Sequence, residues 1–153
     1  MIKSFCEGDE MKKIVALLLS MICLFGCTQQ SYPKFTVKMF YANWCGNCEG
    51  AKKQFIPRLE EEFGEAVTIE YYDIDTYEGY KAYFEIVESL ENIDEELTKD
   101  TNVPFFVIED RYAFFGCTTS FIDEYILDIK ASLKGEALSE KMSPGRFYFK
   151  EKD

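Results

Sequence analysis

The chain contains no histidine and only one tryptophan in 153 residues. Without histidine, a zinc site would have to be assembled from cysteine and carboxylate alone. Basic residues are scarce as well: 17 Lys and Arg stand against 28 Asp and Glu, a formal net charge of −11. That balance excludes the basic footprint on which nucleic-acid binding rests. Solubility is the simplest account of the acidity, preferred here to an acidic binding role. The apolar segment Ile14 to Gly26 falls short of the ~20 residues of a comfortable membrane span. Prolines number four, Pro33, Pro57, Pro104 and Pro144. What is abundant is apolar: 47% hydrophobic and 16% aromatic residues. That is enough for a real core and too much for a disordered chain. The length is that of one domain.

The stretch that organises the rest is Trp44-Cys45-Gly46-Asn47-Cys48. Ahead of it, Phe35, Val37, Met39 and Tyr41 alternate, which predicts a strand over Phe35–Tyr41. Behind it, Ala51, Phe55, Leu59 and Phe63 recur at four-residue spacing, which predicts a helix over Cys48–Phe63. The two cysteines therefore sit where a strand becomes a helix. There the first backbone N–H groups lack partners and the helix dipole presents its positive end. A thiolate at Cys45 is stabilised by both, so its pKa should fall well below the free value of ~8.5. One helical turn lets Cys48 reach back, so one pair can act as nucleophile and resolver in disulfide exchange. The alternatives are half of a zinc site, which needs two more ligands, and a structural disulfide.

Tyr41-Ala42-Asn43-Trp44-Cys45-Gly46-Asn47-Cys48 resembles the aromatic-Ala-x-Trp-Cys-Gly-x-Cys segment of the thioredoxin superfamily. The resemblance spans about Phe35 to Leu133. It implies an α/β thioredoxin-like fold, with a central mixed sheet of about four strands flanked by helices. Val103-Pro104 looks like the family's cis-proline loop, which faces the CxxC and leaves the Val103 backbone free to pair with an extended peptide. Gly116 resembles the glycine in the loop beside that site. By this resemblance Cys45 and Cys48 are catalytic, Trp44, Val103, Pro104 and Gly116 contact substrate, and no metal or organic cofactor is required. Two departures accompany it. The reductases of the family bury an Asp six positions ahead of the first Cys, where this chain has Met39, and often place a Lys where Tyr71 stands. Losing both together avoids an unpaired buried charge. It also removes the protein base for Cys48. Glu49, the nearest carboxylate in sequence, reads as a solvated residue of the first helical turn. Gly46-Asn47 offers no His to support the thiolate, so a strong oxidant is not favoured.

Met11-Lys12-Lys13 followed by Ile14 to Gly26 has the shape of a secretory signal, a basic start before a short apolar core. Its end, Leu24-Phe25-Gly26-Cys27, resembles the lipobox of bacterial lipoproteins, in which the Cys becomes the lipidated first residue. A signal anchor is the alternative and leaves the domain on the same side of the membrane. Met1 to Glu10 precedes the basic start and points to Met11 as the true beginning. Removing residues 1–26 takes Lys3, Lys12 and Lys13 with Glu7, Asp9 and Glu10, so the net charge of −11 is kept. Of the six cysteines, processing would remove Cys6 and Cys23 and lipidation would use Cys27. The redox pair and one odd thiol, Cys117, are left.

The organisation expected is thus a signal peptide over 1–26, a lipidated tether over 27–34, a thioredoxin-like domain over 35–135 and a C-terminal extension over 136–153. Pro57 lies inside the first helix and predicts a kink, and Gly64 ends it. Val67 to Asp75 reads as the second strand, parallel to the first through a right-handed crossover. Tyr80, Phe84, Val87 and Glu91 predict an enlarged helical segment before the cis-proline loop, with a further acidic turn over Asn92–Asp100. The segment reads either as core cover or as a substrate-facing lid with exposed tyrosines. Phe105 to Ile108 and Tyr112 to Phe115 predict a hairpin turning at Glu109-Asp110-Arg111. Ser120 with Asp123 predicts the cap of a last helix, whose apolar face is Phe121, Ile122, Tyr125, Ile126, Ile129 and Leu133. Phe147-Tyr148-Phe149 reads as a short extra strand or a docking segment.

The expected function is that of an extracytoplasmic, membrane-tethered thiol–disulfide oxidoreductase. Its partners would be protein thiols and disulfides, a membrane or extracytoplasmic redox partner, and the membrane through its lipid. A surface accessory lipoprotein that binds peptides or an exporter without turnover is the reading from another class.

Overall fold

The structure is a computed structural model and describes residues 31–91, 93–141 and 145–151. The expected signal segment, the lipidation position Cys27 and the first tether residues lie outside the described residues. So does Asn92, within the expected acidic turn.

Seven main elements follow one another: β1 (Phe35–Tyr41), α1 (Gly46–Phe63), β2 (Val67–Asp73), α2 (Tyr77–Glu88), β3 (Phe105–Ile108), β4 (Tyr112–Phe115) and α3 (Ile122–Lys134). They form an α/β fold whose four-stranded sheet has the order β2-β1-β3-β4. β1 and β2 run parallel across the α1 connection, while β3 lies antiparallel to both β1 and β4. The sheet is therefore mixed, as the alternation and turn signals predicted.

Strand alternation divides the aromatics between two faces. Phe106 of β3 and Phe114 of β4 stack at 5.2 Å, and Phe55 of α1 meets them edge-on at 5.1 and 6.3 Å. Tyr125 of α3 stacks on Phe114 at 4.8 Å, so α1 and α3 cover this face. One residue along each strand, Phe40, Phe105 and Phe115 turn the other way. Tyr83 of α2 packs against Phe40 and Phe105 at 5.8 and 5.3 Å, and Phe147 of the tail packs on Phe115 at 5.5 Å. Every residue of β3 and β4 is buried, which is why these strands read as unbroken apolar runs.

Several boundaries move for local physical reasons. α1 begins at Gly46 rather than Cys48, because Cys45 itself is the N-cap, and it runs through Pro57 to a Gly64 cap with φ 51°. β2 stops at Asp73. The amide of Asp75 then bonds the Asp73 carboxylate, and Thr76 caps α2 from its side-chain oxygen. Ser120 does not cap α3. A 3₁₀ turn over Thr119–Phe121 intervenes, Phe121 occupies the cap position without a side-chain bond, and Asp123 instead receives Arg58 of α1 at 3.3 Å. The stretch after Asn92 forms successive i→i+3 turns from Asp94 to Lys99. The tail docks: Phe147 exchanges backbone bonds with Ala113 on the open edge of β4, and Glu91 and Lys150 pair with Tyr148 and Ser89. Residue Tyr32 of the expected tether packs edge-on against Phe63 at 4.9 Å.

One buried charge holds that tail. Asp128, 1% exposed on α3, accepts from the Ser139 amide at 2.8 Å and from the Arg146 guanidinium. The helix periodicity had placed only apolar residues on this face. A carboxylate one step before Ile129 was the available signal.

Candidate active site

β1, an inner strand of the sheet, ends at Tyr41, and the chain passes through Ala42 to Cys45 into α1. Cys45 and Cys48 are joined in a disulfide with Cα atoms 5.2 Å apart. The amides of Cys48 and Glu49 bond the Cys45 carbonyl at 3.1 and 3.2 Å, which closes the first helical turn. The Cys48 amide also donates to Cys45 Sγ at 3.0 Å. An N-terminal N–H of α1 is thus aimed at the first sulfur. In the dithiol state the same group stabilises negative charge there. Cys45 is 9% exposed and Cys48 only 1%, so Cys45 is the more accessible sulfur of the two.

Across from the pair stands the loop before β3. The Val103–Pro104 peptide is cis, and the Val103 carbonyl oxygen lies 3.5 Å from Cys45 Sγ. Gly116, at φ 75°, donates its amide to the Pro104 carbonyl at 2.7 Å, so the glycine after β4 braces the loop. The Asn102 amide donates to the buried hydroxyl of Tyr83 at 2.9 Å. The helical segment ahead of the loop therefore covers the core and also holds the loop in place. Periodicity put Tyr83 on α2 but carried no sign of this bond.

Trp44 is 68% exposed, and its indole N–H donates to Asp75 at 3.1 Å. Asn43 donates to Asp73 at 3.0 Å. The end of β2 and the turn after it thus buttress the segment leading into the cysteines, with two carboxylates that sequence reasoning had read as the end of a strand.

Met39 is fully buried in β1, in register with Tyr71 of β2 and Phe106 of β3. Tyr71 is half-exposed, and a cation reaches this corner from α1: Lys52 Nζ sits 3.1 Å from the Tyr41 ring centroid and 5.8 Å from that of Tyr71. Glu49 is a poor proton acceptor for Cys48. It is exposed and bonded to Lys53 at 2.9 Å, which holds its carboxyl below the usual range. The buried carboxylate among the described residues, Asp128, is committed to Arg146 and Ser139.

Cys117 follows Gly116 and is half-buried. With Gly46, Asn47 and Gln54 it lines a small cleft of about 80 Å³ beside the start of α1. Burial pushes its thiol up to about 12, so it is neutral at physiological pH. Among the described residues, no group of three or more Cys, Asp or Glu side chains is placed to hold a metal ion. None of their helices is long and apolar enough to cross a membrane. No protein-family model matches the chain, and neither does any curated protein.

Proposed function

We propose that this is a thioredoxin-like domain performing thiol–disulfide exchange on protein cysteines, tethered outside the cytoplasm through Cys27. The observation carrying the reading is the first-turn amide of Cys48 directed at Cys45 Sγ, opposite the cis Val103–Pro104 bond.

From the dithiol, the Cys45 thiolate attacks one sulfur of a substrate disulfide. That S–S bond breaks, and the other substrate sulfur leaves as a thiolate and takes a proton. Cys48, deprotonated to solvent, then attacks Cys45 Sγ and expels the second substrate sulfur. Two electrons pass to the substrate, and the Cys45–Cys48 disulfide forms. The reverse sequence oxidises a substrate dithiol at the cost of the protein's disulfide. Trp44, Val103, Pro104 and Gly116 form the rim along which an extended substrate would lie.

Reduction of insulin or of a model cystine peptide by the reduced protein tests the reading, with a redox titration of the pair giving its direction. A Cys48→Ser variant should accumulate a mixed disulfide at Cys45. No exchange in the wild type would refute it. The tether is tested separately: Cys27→Ser should abolish fatty-acid labelling, and retained labelling would exclude that residue. A second reading, peptide binding without turnover, is favoured by Met39, which leaves Cys48 without a buried carboxylate.

A further inference from the structure

The rim beside Cys45 continues into a surface that disulfide exchange by itself does not require. Asp75 receives the Trp44 indole and directly precedes the cap of α2. From that cap, Tyr77 at 76% exposure, Tyr80 at 51% and Phe84 follow at helical spacing along one stripe. Tyr80 and Phe84 lie 4.8 Å apart and wall a groove of about 450 Å³. Tyr77 and Tyr80 are held open to water beside the half-buried Phe84, and the core, which α2 serves through Tyr83, Val87 and one side of Phe84, does not explain these two exposed rings.

The charges left unmatched around the stripe are acidic. Among the described residues, Asp73 and Asp75 accept from neutral donors, namely the Asn43 amide, the Trp44 indole and a backbone N–H. The lysines at the groove are already matched, Lys81 to Glu85 at 3.5 Å and Lys99 to Glu95 at 3.1 Å. Among the described residues the Glu78 and Glu88 carboxylates form no ion pair, although the Lys150 ammonium donates to the Glu88 main-chain carbonyl at 2.6 Å. Aromatic faces beside unmatched carboxylates form an acceptor for ammonium and guanidinium groups, through ring quadrupoles and ion pairing together.

We propose that this acidic, aromatic stripe selects the substrate: a polypeptide segment carrying Lys or Arg close to its reacting cysteine. The inference rests on the exchange activity proposed above. The segment enters with its cysteine at Cys45 and its basic side chains over Trp44 and the α2 tyrosines. The acidity of the chain then steers as well as solubilises.

The test uses the reduced full chain, three disulfides and the fluorescence of Trp44, the sole tryptophan, which adjoins the reacting sulfur. Two cystine peptides differ only in Lys or Glu beside the cysteine, and hydroxyethyl disulfide is the small neutral reference. The Lys peptide should react about tenfold faster than the Glu peptide at low salt, with the ratio falling at 0.5 M salt. Asp75→Asn, which keeps an oxygen for the indole, and Tyr80→Ala should each lower the ratio at least threefold. Equal rates for the two peptides, with normal reaction of the small disulfide, would overturn the inference and leave the exchange activity standing. A Lys preference unchanged in both variants would also overturn it, since overall charge would then be the cause. No reaction with the small disulfide would remove the exchange reading and this one with it.

Discussion

Removing one hydroxyl, in Tyr83→Phe, tests whether α2 holds the loop that faces Cys45. Tyr83 is fully buried, and its oxygen receives the Asn102 amide at 2.9 Å. Its ring packs on Phe40, Phe84 and Phe105 with centroids 5.8, 5.2 and 5.3 Å away. Phenylalanine keeps all three ring contacts and deletes only the bond. A net hydrogen bond contributes about 0.5–1.5 kcal/mol. Asn102 is half-exposed, so water replaces part of the loss, and about 1 kcal/mol is expected. Alanine would also empty the ring's place, at about 3–5 kcal/mol, and so could not isolate the bond. In a domain of this size, about 1 kcal/mol lowers Tm by about 4 °C. If the same free energy keeps Val103 against Cys45, exchange slows about fivefold. Burial raises the Tyr83 phenol above its ordinary value, so the bond is intact at neutral pH and the deficit should be equal at pH 6 and pH 8. Thermal unfolding and stopped-flow exchange with a cystine peptide measure the two effects. A variant with unchanged Tm and unchanged rate would refute the bracing argument. A lowered Tm at full rate would reduce Tyr83 to a structural residue.

In the reduced domain near neutral pH, mass-mapped alkylation should modify Cys45 first and spare Cys48, which is 1% exposed; faster reaction at Cys48 would invert their roles. Cys117 should also resist alkylation, because burial keeps it a neutral thiol. Its folded pKa is raised from 9.0 to about 12, so the stability it lends is complete below about 9 and is lost as pH climbs towards 12. Cys117→Ser should therefore keep turnover and flatten the alkaline fall in urea midpoint, and an identical fall in both proteins would contradict the burial argument. Arg146→Ala leaves the Asp128 carboxylate buried with only the Ser139 amide. A loss of about 3–5 kcal/mol and faster proteolysis of the tail are expected; a variant as stable as wild type would show that the pair does not anchor it.

Much of this protein is local chemistry, and local chemistry is written in the sequence. The alternation of Phe35, Val37, Met39 and Tyr41, the spacing from Ala51 to Phe63 and the glycine at 64 set β1, α1 and the end of α1. The spacing of Cys45 and Cys48 at a strand-to-helix junction marked the candidate site, because a two-residue gap on a first helical turn brings the sulfurs together. Failures came where neighbours distant in sequence decided. Ser120 had the right residue type for a cap, but the chain enters α3 through a 3₁₀ turn, and Asp123 is taken by Arg58 from another helix. Asp128 lies buried on α3 because Arg146, 18 residues on, neutralises it, a pairing that helix periodicity does not encode.

The sequence by itself determined the order of elements and the Cys45–Cys48 pair, since these depend on contacts a few residues apart. The tertiary structure alone decided what surrounds the pair. Tyr83 meets Asn102 across 19 residues, and Trp44 meets Asp75 across 31. Such bonds depend on how the sheet sets α2 and the loop before β3 against the start of α1, a geometry that no local periodicity encodes.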